Sequence, residues 1–503
     1  MYINNKILVG KNDKTEVSLL LDKANRHGLI TGASGSGKTI TLKVLAESFS
    51  DAGVPVFFSD VKGDLAGCCQ EGESSEAVIK RLENLKIKDF DFKSYPVRFW
   101  DLFAEFGHPI RTKVSEVGPD ILSIMLGLSE AQEGNLDIVF KIAEDEKRQL
   151  DDLKDLKSLL QYVADNKKDY ITKYGNITSQ SVGVIQRSLL SLENQGADKF
   201  FGKPALDIND FISINNDGRG VINILNAVKL FNSPDLYASF MLWLLIELYN
   251  KMPEVGDLDK PKIVFFFDEA HLLFEGMPNY RLKRITQIVK LIRSRGIGLY
   301  FVSQKPTDIP NEIIGQLGNR VQHTLRAYTP AELKVVKVAS DAFRVNPEFD
   351  TEKAILELGT GEALVSFQNE KGEPSVVERV TILPPQSKMG TIDISSYNKI
   401  INSSPYVGKY DEVVDDESAY EEISKINEEK AKEKEEALQK KEQEKLDREE
   451  KKKLAELERE KRKAERERKN TPQYKLGKKV INMGTTRLIS KLFNLLFKGI
   501  TKK

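Results

Sequence analysis

The chain has few of the residues that mark secreted, zinc-binding or membrane-spanning proteins. Its 503 residues include two cysteines, Cys68 and Cys69, and four histidines. Two adjacent thiols cannot build a disulfide framework, and scattered histidines do not form a zinc site. No apolar run reaches the roughly 18 to 20 residues of a membrane-spanning helix, and residues 1–14 lack the apolar stretch of a secretory signal. These absences favour a reduced, cytoplasmic protein.

The chain also lacks an excess of either charge, with 76 Lys and Arg against 76 Asp and Glu. The balance conceals an asymmetry, because residues 475–503 contain eight basic and no acidic side chains. The preceding residues therefore carry 68 basic and 76 acidic side chains, a net charge of −8. We expect a basic C-terminal appendage on a mildly acidic body.

What the sequence does contain is a series of short, unbroken apolar runs separated by helical patterns. Runs of this kind indicate strands buried on both faces, and their alternation with helices predicts an α/β fold with a mostly parallel central sheet. The predicted strands lie at 27–32, 54–60, 220–225, 262–270, 297–304, 320–325 and 362–367.

A phosphate-binding loop follows the first of these strands. Residues 32–39 read GASGSGKT and fit G-x-x-x-x-G-K-[ST] at every fixed position. Glycines let backbone N–H groups turn inward around a phosphate, and the helix that follows adds its positive end. We predict that Lys38 reaches the β- and γ-phosphates of ATP and that Thr39 ligates Mg²⁺. The predicted nucleotide-binding residues are Gly32, Ala33, Ser34, Gly35, Ser36, Gly37, Lys38, Thr39 and Ile40.

Two carboxylates end the strand in "IVFFFDEAH" (263–271). Asp268 is predicted to bind Mg²⁺, and Glu269 to orient and polarise the water that attacks the γ-phosphate. An Asp-Glu pair after a buried strand can also cap the next helix, but the phosphate loop upstream favours the catalytic role. Asp60 and Asp64, in "FSDVKGD" (58–64), are interpreted either as assistants to this site or as caps of the turn that follows.

Three further polar residues are candidates for sensing or completing the reaction. Gln304 ends the next strand at the carboxyl edge of the predicted sheet, where it can contact the γ-phosphate or the water. Hydrolysis also benefits from an arginine that neutralises charge in the transition state. Arg320 is our first candidate for that arginine and Arg326 the second, in the same subunit or from a neighbour; a surface role is the alternative for each.

These features together predict a RecA-like P-loop NTPase in six segments. The ATPase core occupies 1–100 and 219–390 and is interrupted by a helical insertion at 101–218. A linker at 391–427, a charged helix at 428–470 and a basic amphipathic tail at 471–503 follow.

The last two segments leave alternatives open. The charged helix lacks steady apolar heptad positions, so a solvated single helix or a partly disordered tether is favoured over a coiled coil. The tail, with "RLISKLFNLLFKGI" at 487–500, is predicted to dock on a neighbouring subunit or on the body, or to bind an anionic membrane surface or DNA.

The order GASGSGKT, DVKGD, FFFDEAH, FVSQ and GNRVQHTLRA resembles the HerA/FtsK superfamily of DNA-pumping ATPases. Stretches such as "GLSEAQEGNLDIVFKIAEDE" and "GRGVINIL" look closest to its bacterial YjgR-like branch. The resemblance implies a hexameric ring with nucleotide between subunits and DNA in the pore, and it gives Lys38, Thr39, Asp268, Glu269 and Gln304 the roles stated above. Since a full N-terminal barrel does not fit in residues 1–27, the nuclease partnership of typical HerA helicases is not expected.

Three functions can be weighed against the sequence. The leading hypothesis is a Mg²⁺-ATP-driven motor acting on DNA, with the basic segment 281–296 facing the phosphate backbone or simply solvated. A two-lobed DEAH-box helicase is disfavoured, because the strand after Asp268 ends in Ser-Gln and no second lobe is visible. The remaining alternative is an ATP-gated scaffold that its tail recruits to a membrane or to a partner protein.

Overall fold

The computed structural model describes residues 1–471, and within them twelve strands form one sheet. The strands are β1 (Tyr2–Ile3), β2 (Lys6–Lys11), β3 (Glu16–Leu20), β4 (Gly28–Thr31), β5 (Val56–Asp60), β6 (Val97–Trp100), β7 (Ile222–Asn226), β8 (Ile263–Phe267), β9 (Ile297–Ser303), β10 (Asn319–Gln322), β11 (Glu362–Ser366) and β12 (Glu378–Ile382).

Helices fill most of the sequence between the strands. They are α1 (Lys38–Asp51), α2 (Glu76–Leu85), α3 (Val114–Met125), α4 (Glu130–Asp145), α5 (Leu153–Asp165), α6 (Lys167–Tyr174), α7 (Ser179–Asn194), α8 (Pro234–Lys251), α9 (Asn279–Ile292), α10 (Asn311–Ile314), α11 (Pro330–Asp341), α12 (Thr351–Glu357), α13 (Ile394–Asn402) and α14 (Ala419–Asn470).

The centre of the sheet is parallel, as predicted. Neighbouring strands run in the order β10, β4, β9, β8, β5, β7, β6, and every pair in this series is parallel. On the far side of β10 the sheet continues antiparallel through β11, β12 and β2, with β1 and β3 beside β2. All seven predicted strands are present, and the last of them, β11, is antiparallel to its neighbours.

Both faces of the parallel strands are buried, which explains their unbroken apolar runs. On β8, Phe265 and Phe267 join the core beneath the insertion, and Phe266 joins the core that α1 covers. All three side chains are fully buried. Each buried side chain of this size stabilises the fold by about 1.5–3 kcal/mol relative to an exposed one.

The predicted insertion contains five helices, α3 to α7, between β6 and β7. A capping box begins α4, since the backbone N–H of Ser129 donates to Gln132 Oε1 over 2.8 Å. Apolar side chains of these helices, such as Leu136 and Leu159, belong to the same core as Phe265. The insertion therefore packs on the sheet as part of one body.

The predicted linker at 391–427 is instead largely packed on that body. Tyr406 and Tyr410 lie against Trp100, with ring centroids 5.4 and 5.9 Å apart. The Arg111 guanidinium donates to the Tyr410 carbonyl over 2.6 Å. The prediction of a linker was wrong because two aromatic side chains anchor a segment whose other residues are mostly polar.

The charged segment is a single continuous helix, α14, which begins at Ala419 rather than at residue 428. Every side chain from 431 to 469 is exposed, so this part of the helix depends on local charge pairs rather than on a core. The predicted basic tail lies outside the described residues from Pro472 onward. No helix within residues 1–471 is both long and apolar enough to span a bilayer.

Candidate active site

The phosphate loop connects β4 to α1, as predicted. Gly35 and Gly37 have φ values of 76° and 115°, in the left-handed region that favours glycine. A Cβ atom on Gly32 would lie 2.5 Å from the Cβ atom of His323. The motif glycines are therefore required both by backbone conformation and by close packing.

Lys38 is the first residue of α1, and its side chain lies across the loop. Its ammonium donates to the carbonyl oxygens of Gly32, over 2.6 Å, and Ala33, over 3.2 Å. Burial lowers its pKa, and the nearby carboxylates of Asp268 and Glu269 oppose that shift. A partly desolvated ammonium held by neutral carbonyls is well suited to exchange them for phosphate oxygens.

Asp268 and Glu269 follow β8 at the same edge of the sheet. Asp268 Oδ1 accepts from the Glu269 backbone N–H over 2.9 Å, and the Tyr237 hydroxyl donates to the Asp268 carbonyl over 2.7 Å. Burial, and secondarily the charge of Glu269, raises the pKa of Asp268 to about 6. Glu269 has a φ of 46°. A non-glycine residue in this conformation costs about 1–3 kcal/mol, a strain that is frequent at functional sites.

The acid pair fits a divalent cation and a water molecule. Glu269 is only 8% exposed, and its Oε2 atom accepts no hydrogen bond from any of residues 1–471, with His271 Nδ1 at 3.5 Å as an ionic neighbour. A buried oxygen without a hydrogen bond costs about 1–3 kcal/mol, which a bound donor would recover. Carboxylate and hydroxyl oxygens are also the ligands that Mg²⁺ prefers. Asp268 and Thr39 would hold the ion, and Glu269 is free to accept a proton.

Gln304 lies between the loop and the acid pair. It is the first residue after β9, and β9 lies between β4 and β8. The register pairs Thr31 with Ser303 and Phe267 with Phe301, so the carboxyl ends of the three strands are side by side. Gln304 is exposed at this edge. The fold thus brings together the predicted Lys38, Glu269 and Gln304.

The two candidate arginines have different surroundings. Arg320 lies within β10 and donates to the carbonyls of Leu317, Ala342 and Ile314 at 3.4, 2.9 and 3.4 Å. Arg326 lies in the loop after β10 and is exposed, and no hydrogen bond or ion pair engages its side chain within residues 1–471. These contacts reverse our order of preference, because Arg320 is occupied by carbonyl groups of its own chain.

The alternatives for Asp60 are also resolved by contacts. Its carboxylate accepts three backbone N–H groups, those of Gly63, Asp64 and Leu65, at 2.7, 3.1 and 2.9 Å. Asp60 therefore caps the turn that follows β5. The turn places Lys62, which our sequence reasoning missed, near the site, where its charge acts on both Asp268 and Lys38.

Two other residues near the site were missed. Tyr237, on α8, links Ser59 at 2.9 Å to the backbone of Asp268. His323 follows β10 and bonds Thr41 on α1. No local signal set His323 apart, because it lay inside the predicted strand at 320–325 among other polar residues. Nothing in the local pattern of α8 sets Tyr237 apart from the apolar residues around it.

A phosphate loop, an adjacent acid pair and a polar strand end on one edge of a parallel sheet define a P-loop ATPase. Comparison with known families gives the particular group: residues 5–502 match the family described as Helicase HerA-like C-terminal. The chain belongs to this family.

Curated relatives include two archaeal proteins named DNA double-strand break repair helicase HerA. The protein from Sulfurisphaera tokodaii is 24% identical over 385 residues, which cover 73% of this chain and 67% of the relative. The protein from Saccharolobus solfataricus is 24% identical over 363 residues, 71% of this chain and 64% of the relative. The chain thus spans about two thirds of the length of these relatives.

Solved structures with a similar arrangement include VirB4 of Thermoanaerobacter pseudethanolicus. It has a TM-score of 0.48 and 14% identity, with coverage of 80% of this chain and 99% of that chain. The plasmid coupling protein TrwB, in complex with a non-hydrolysable GTP analogue, has a TM-score of 0.48 and 11% identity over 75% of this chain and 89% of that chain.

Proposed function

We propose that this ATPase couples Mg²⁺-dependent ATP hydrolysis to movement along duplex DNA. The observation that carries the proposal is the meeting of Lys38, Glu269 and Gln304 at one sheet edge, in a chain that matches the HerA-like family over nearly its whole length. The curated relatives named as DNA repair helicases supply the class of polymer.

Each residue of the edge has a role in hydrolysis. The loop N–H groups and Lys38 bind the β- and γ-phosphates, and Thr39 and Asp268 hold the metal. A bound Mg²⁺ would neutralise part of the phosphate charge. Glu269 orients the attacking water and accepts its proton at Oε2, the oxygen that none of the described residues bonds. Gln304 reports whether a γ-phosphate is present.

We propose that the active form is a ring of identical subunits in which Arg326 reaches the nucleotide of its neighbour. Its exposed guanidinium is available for a phosphate, whereas that of Arg320 is bound to three carbonyls. An arginine supplied in this way stabilises the charge that develops in phosphoryl transfer. Native mass measurement with and without ATP tests the assembly.

Helix α9 supplies the proposed basic face for DNA. Fewer of the cations in 281–296 are free to contact phosphates than the sequence suggested. Arg281 is buried and donates to the Leu128 carbonyl over 2.7 Å, and Arg295 donates to the Met252 carbonyl. Lys283 and Lys290, two helical turns apart, are exposed. These two lysines are the proposed contacts to phosphates of the DNA backbone.

The test of this function is ATP turnover with and without duplex DNA. We expect duplex DNA to increase turnover by the unaltered chain. The variant Lys283→Glu/Lys290→Glu should lose much of that increase and bind DNA with a shallower salt dependence, because each lost phosphate contact lowers the logarithmic slope by about 1. Lys371→Glu, at an exposed turn between β11 and β12, is the control for a change of charge elsewhere. No stimulation and no salt-sensitive binding would contradict the proposal.

A further inference from the structure

His323 is a buried histidine with a fixed tautomer beside the phosphate loop. Its Nδ1 atom lies 2.9 Å from the Glu362 carbonyl, and its Nε2 atom lies 2.8 Å from Thr41 Oγ1. A carbonyl only accepts, so Nδ1 carries the hydrogen and Nε2 accepts from the Thr41 hydroxyl. Burial lowers the pKa of His323 to about 4, which keeps the ring neutral at physiological pH.

The Thr41 hydroxyl connects this histidine to the residues that bind nucleotide. Thr41 lies on the first turn of α1, three residues after Lys38 and two after Thr39. Both Thr41 and His323 are 0% exposed, so water does not compete for the hydrogen bond between them. The bond therefore fixes the turn that carries Lys38 and Thr39 against the end of β10.

The backbone around His323 is bonded to the same loop. The His323 N–H donates to the Thr31 carbonyl over 2.7 Å, and the Ala33 N–H donates to the Thr324 carbonyl over 2.8 Å. Arg326 lies two residues after Thr324 and is exposed. One short segment thus joins the phosphate loop of a subunit to the arginine that the subunit presents to its surroundings.

The opposite side of the imidazole is held by the loop that precedes β11. The Gly361 N–H donates to the Ser36 carbonyl over 3.0 Å, next to the Glu362 carbonyl that accepts from His323. A Cβ atom on Gly37 would lie 3.1 Å from the Gly361 backbone and 3.5 Å from His323 Cε1. The ring is therefore enclosed by three segments and has one orientation available.

We propose that His323 is a positioning residue that ties the first turn of α1 to the loop carrying Arg326, so that nucleotide state at the phosphate loop sets the position of Arg326. The second half of this inference rests on the proposed placement of Arg326 at the nucleotide of a neighbouring subunit. His323 acts through Thr41 and the backbone and touches no phosphate. Its loss should lower kcat much more than nucleotide affinity, because the loop N–H groups and Lys38 still bind the phosphates.

The test uses two substitutions of Thr41 in the full-length chain. Thr41→Val keeps the shape and removes the hydroxyl, whereas Thr41→Ser keeps the hydroxyl. Without DNA, we expect kcat to fall about tenfold in Thr41→Val and less than about threefold in Thr41→Ser, with the Kd for ADP within about threefold in both. Ser48→Ala is the matched control, since it removes a buried hydroxyl of α1 that donates within its own helix, to Val44 O over 2.6 Å.

A second measurement tests whether His323 positions the loop that carries Arg326. If His323 acts by positioning that loop, Thr41→Val/Arg326→Ala should be no more than about twofold slower than Arg326→Ala alone, because coupled residues are not additive. If the losses of kcat in the two single variants multiplied in the double variant, the proposed action of His323 on Arg326 would be overturned. His323→Ala should resemble Thr41→Val; if it does not fold, as thermal unfolding would show, the Val and Ser variants of Thr41 decide.

The test of His323 and the test of the proposed function can fail independently of each other. Equal kcat values for Thr41→Val and Thr41→Ser would overturn the role of His323 and leave DNA-stimulated turnover untouched. Turnover that duplex DNA does not change would contradict translocation and leave the comparison of the two Thr41 variants valid.

Discussion

The two edges of the parallel sheet differ in how the side chains of His27 and Lys260, at one edge, and of Glu269 and Gln304, at the other, are bonded. At the amino edge, His27, before β4, bonds the Val289 carbonyl and the Leu299 N–H at 2.8 and 3.1 Å. Lys260, before β8, donates to the carbonyls of Ala52 and Gly53. At the carboxyl edge, Glu269 Oε2 accepts no hydrogen bond from the described part of the chain, and Gln304 is exposed.

The difference separates residues that hold the fold from residues that act on a ligand. A buried polar group whose bonds are all satisfied stabilises one conformation, and its removal leaves a partner unpaired. A buried group without a hydrogen bond is a cost to the free protein that a ligand can repay. On this basis, substitutions at the carboxyl edge should impair turnover, and those at the amino edge should impair stability.

Glu269→Gln should produce the largest effect. The amide keeps the shape and removes the basic oxygen, so we expect ATP turnover to fall by up to about 10⁴-fold while ATP still binds. Single-turnover hydrolysis and binding of a fluorescent ATP analogue measure the two properties. Glu275→Gln, an exposed residue of the same loop, is the control. Robust turnover by Glu269→Gln would refute its assignment as the base.

Arg326→Ala and Arg320→Ala contrast an exposed arginine in the loop after β10 with a bonded arginine in β10 itself. We expect Arg326→Ala to lower kcat by about 10³-fold with unchanged thermal stability, as for an arginine that stabilises the transition state. Arg320→Ala should lower the free energy of unfolding by about 1–2 kcal/mol, because three carbonyls lose a donor. A loss of turnover without a loss of stability in Arg320→Ala would reverse the two assignments.

His27→Gln tests the amino edge through the pH dependence of stability. Burial lowers the pKa of His27 in the folded protein to about 4, from about 6.5 in the unfolded chain. Its contribution is therefore present above about pH 6.5 and is lost as the pH falls toward 4. Between pH 7 and pH 5 this loss is about 2 kcal/mol.

The Gln variant does not titrate, so its free energy of unfolding in urea should fall about 2 kcal/mol less over the same interval than that of the unaltered chain. Its kcat at pH 7 should remain that of the unaltered chain. A parallel pH dependence of the two proteins would show that His27 is not buried in its neutral form.

Deletion of residues 428–503 should have the smallest effect on chemistry. None of the residues of the candidate site lies in this segment, and its charged helix is exposed from 431 to 469. We expect basal kcat within about twofold of the full chain, because exposed charge pairs contribute only about 0.2–0.5 kcal/mol each, and only locally. A tenfold loss of basal turnover would show that the segment takes part in the ATPase cycle.

The sequence predicted the sheet, and it predicted that the motif residues lie at the carboxyl ends of its strands, for physical reasons. Strands buried on both faces must be apolar throughout, so β4, β5, β7, β8 and β9 are visible as runs. The loop from Gly32 to Thr39 and the pair Asp268-Glu269 are visible because phosphate and metal chemistry restrict residue types at fixed spacing.

Contacts between distant residues were not predictable in this way. His323 and Thr41 are 282 positions apart, and no local pattern encodes their hydrogen bond. The contact of Tyr406 with Trp100 also joins residues that are far apart in the sequence, which is why 391–427 was interpreted as a linker. The occupation of Arg320 by backbone carbonyls likewise depends on the turn of the chain at 314–317 and at Ala342.

We propose that ATP hydrolysis at the carboxyl edge of the sheet moves the protein along DNA. The most direct test is displacement of a third strand from a duplex that carries a short triplex at one end, with ATP and Mg²⁺. We predict ATP-dependent displacement by the unaltered chain and none by Glu269→Gln, although both bind the duplex equally. Displacement by Glu269→Gln, or ATP hydrolysis by the unaltered chain on bound duplex without displacement, would contradict the account.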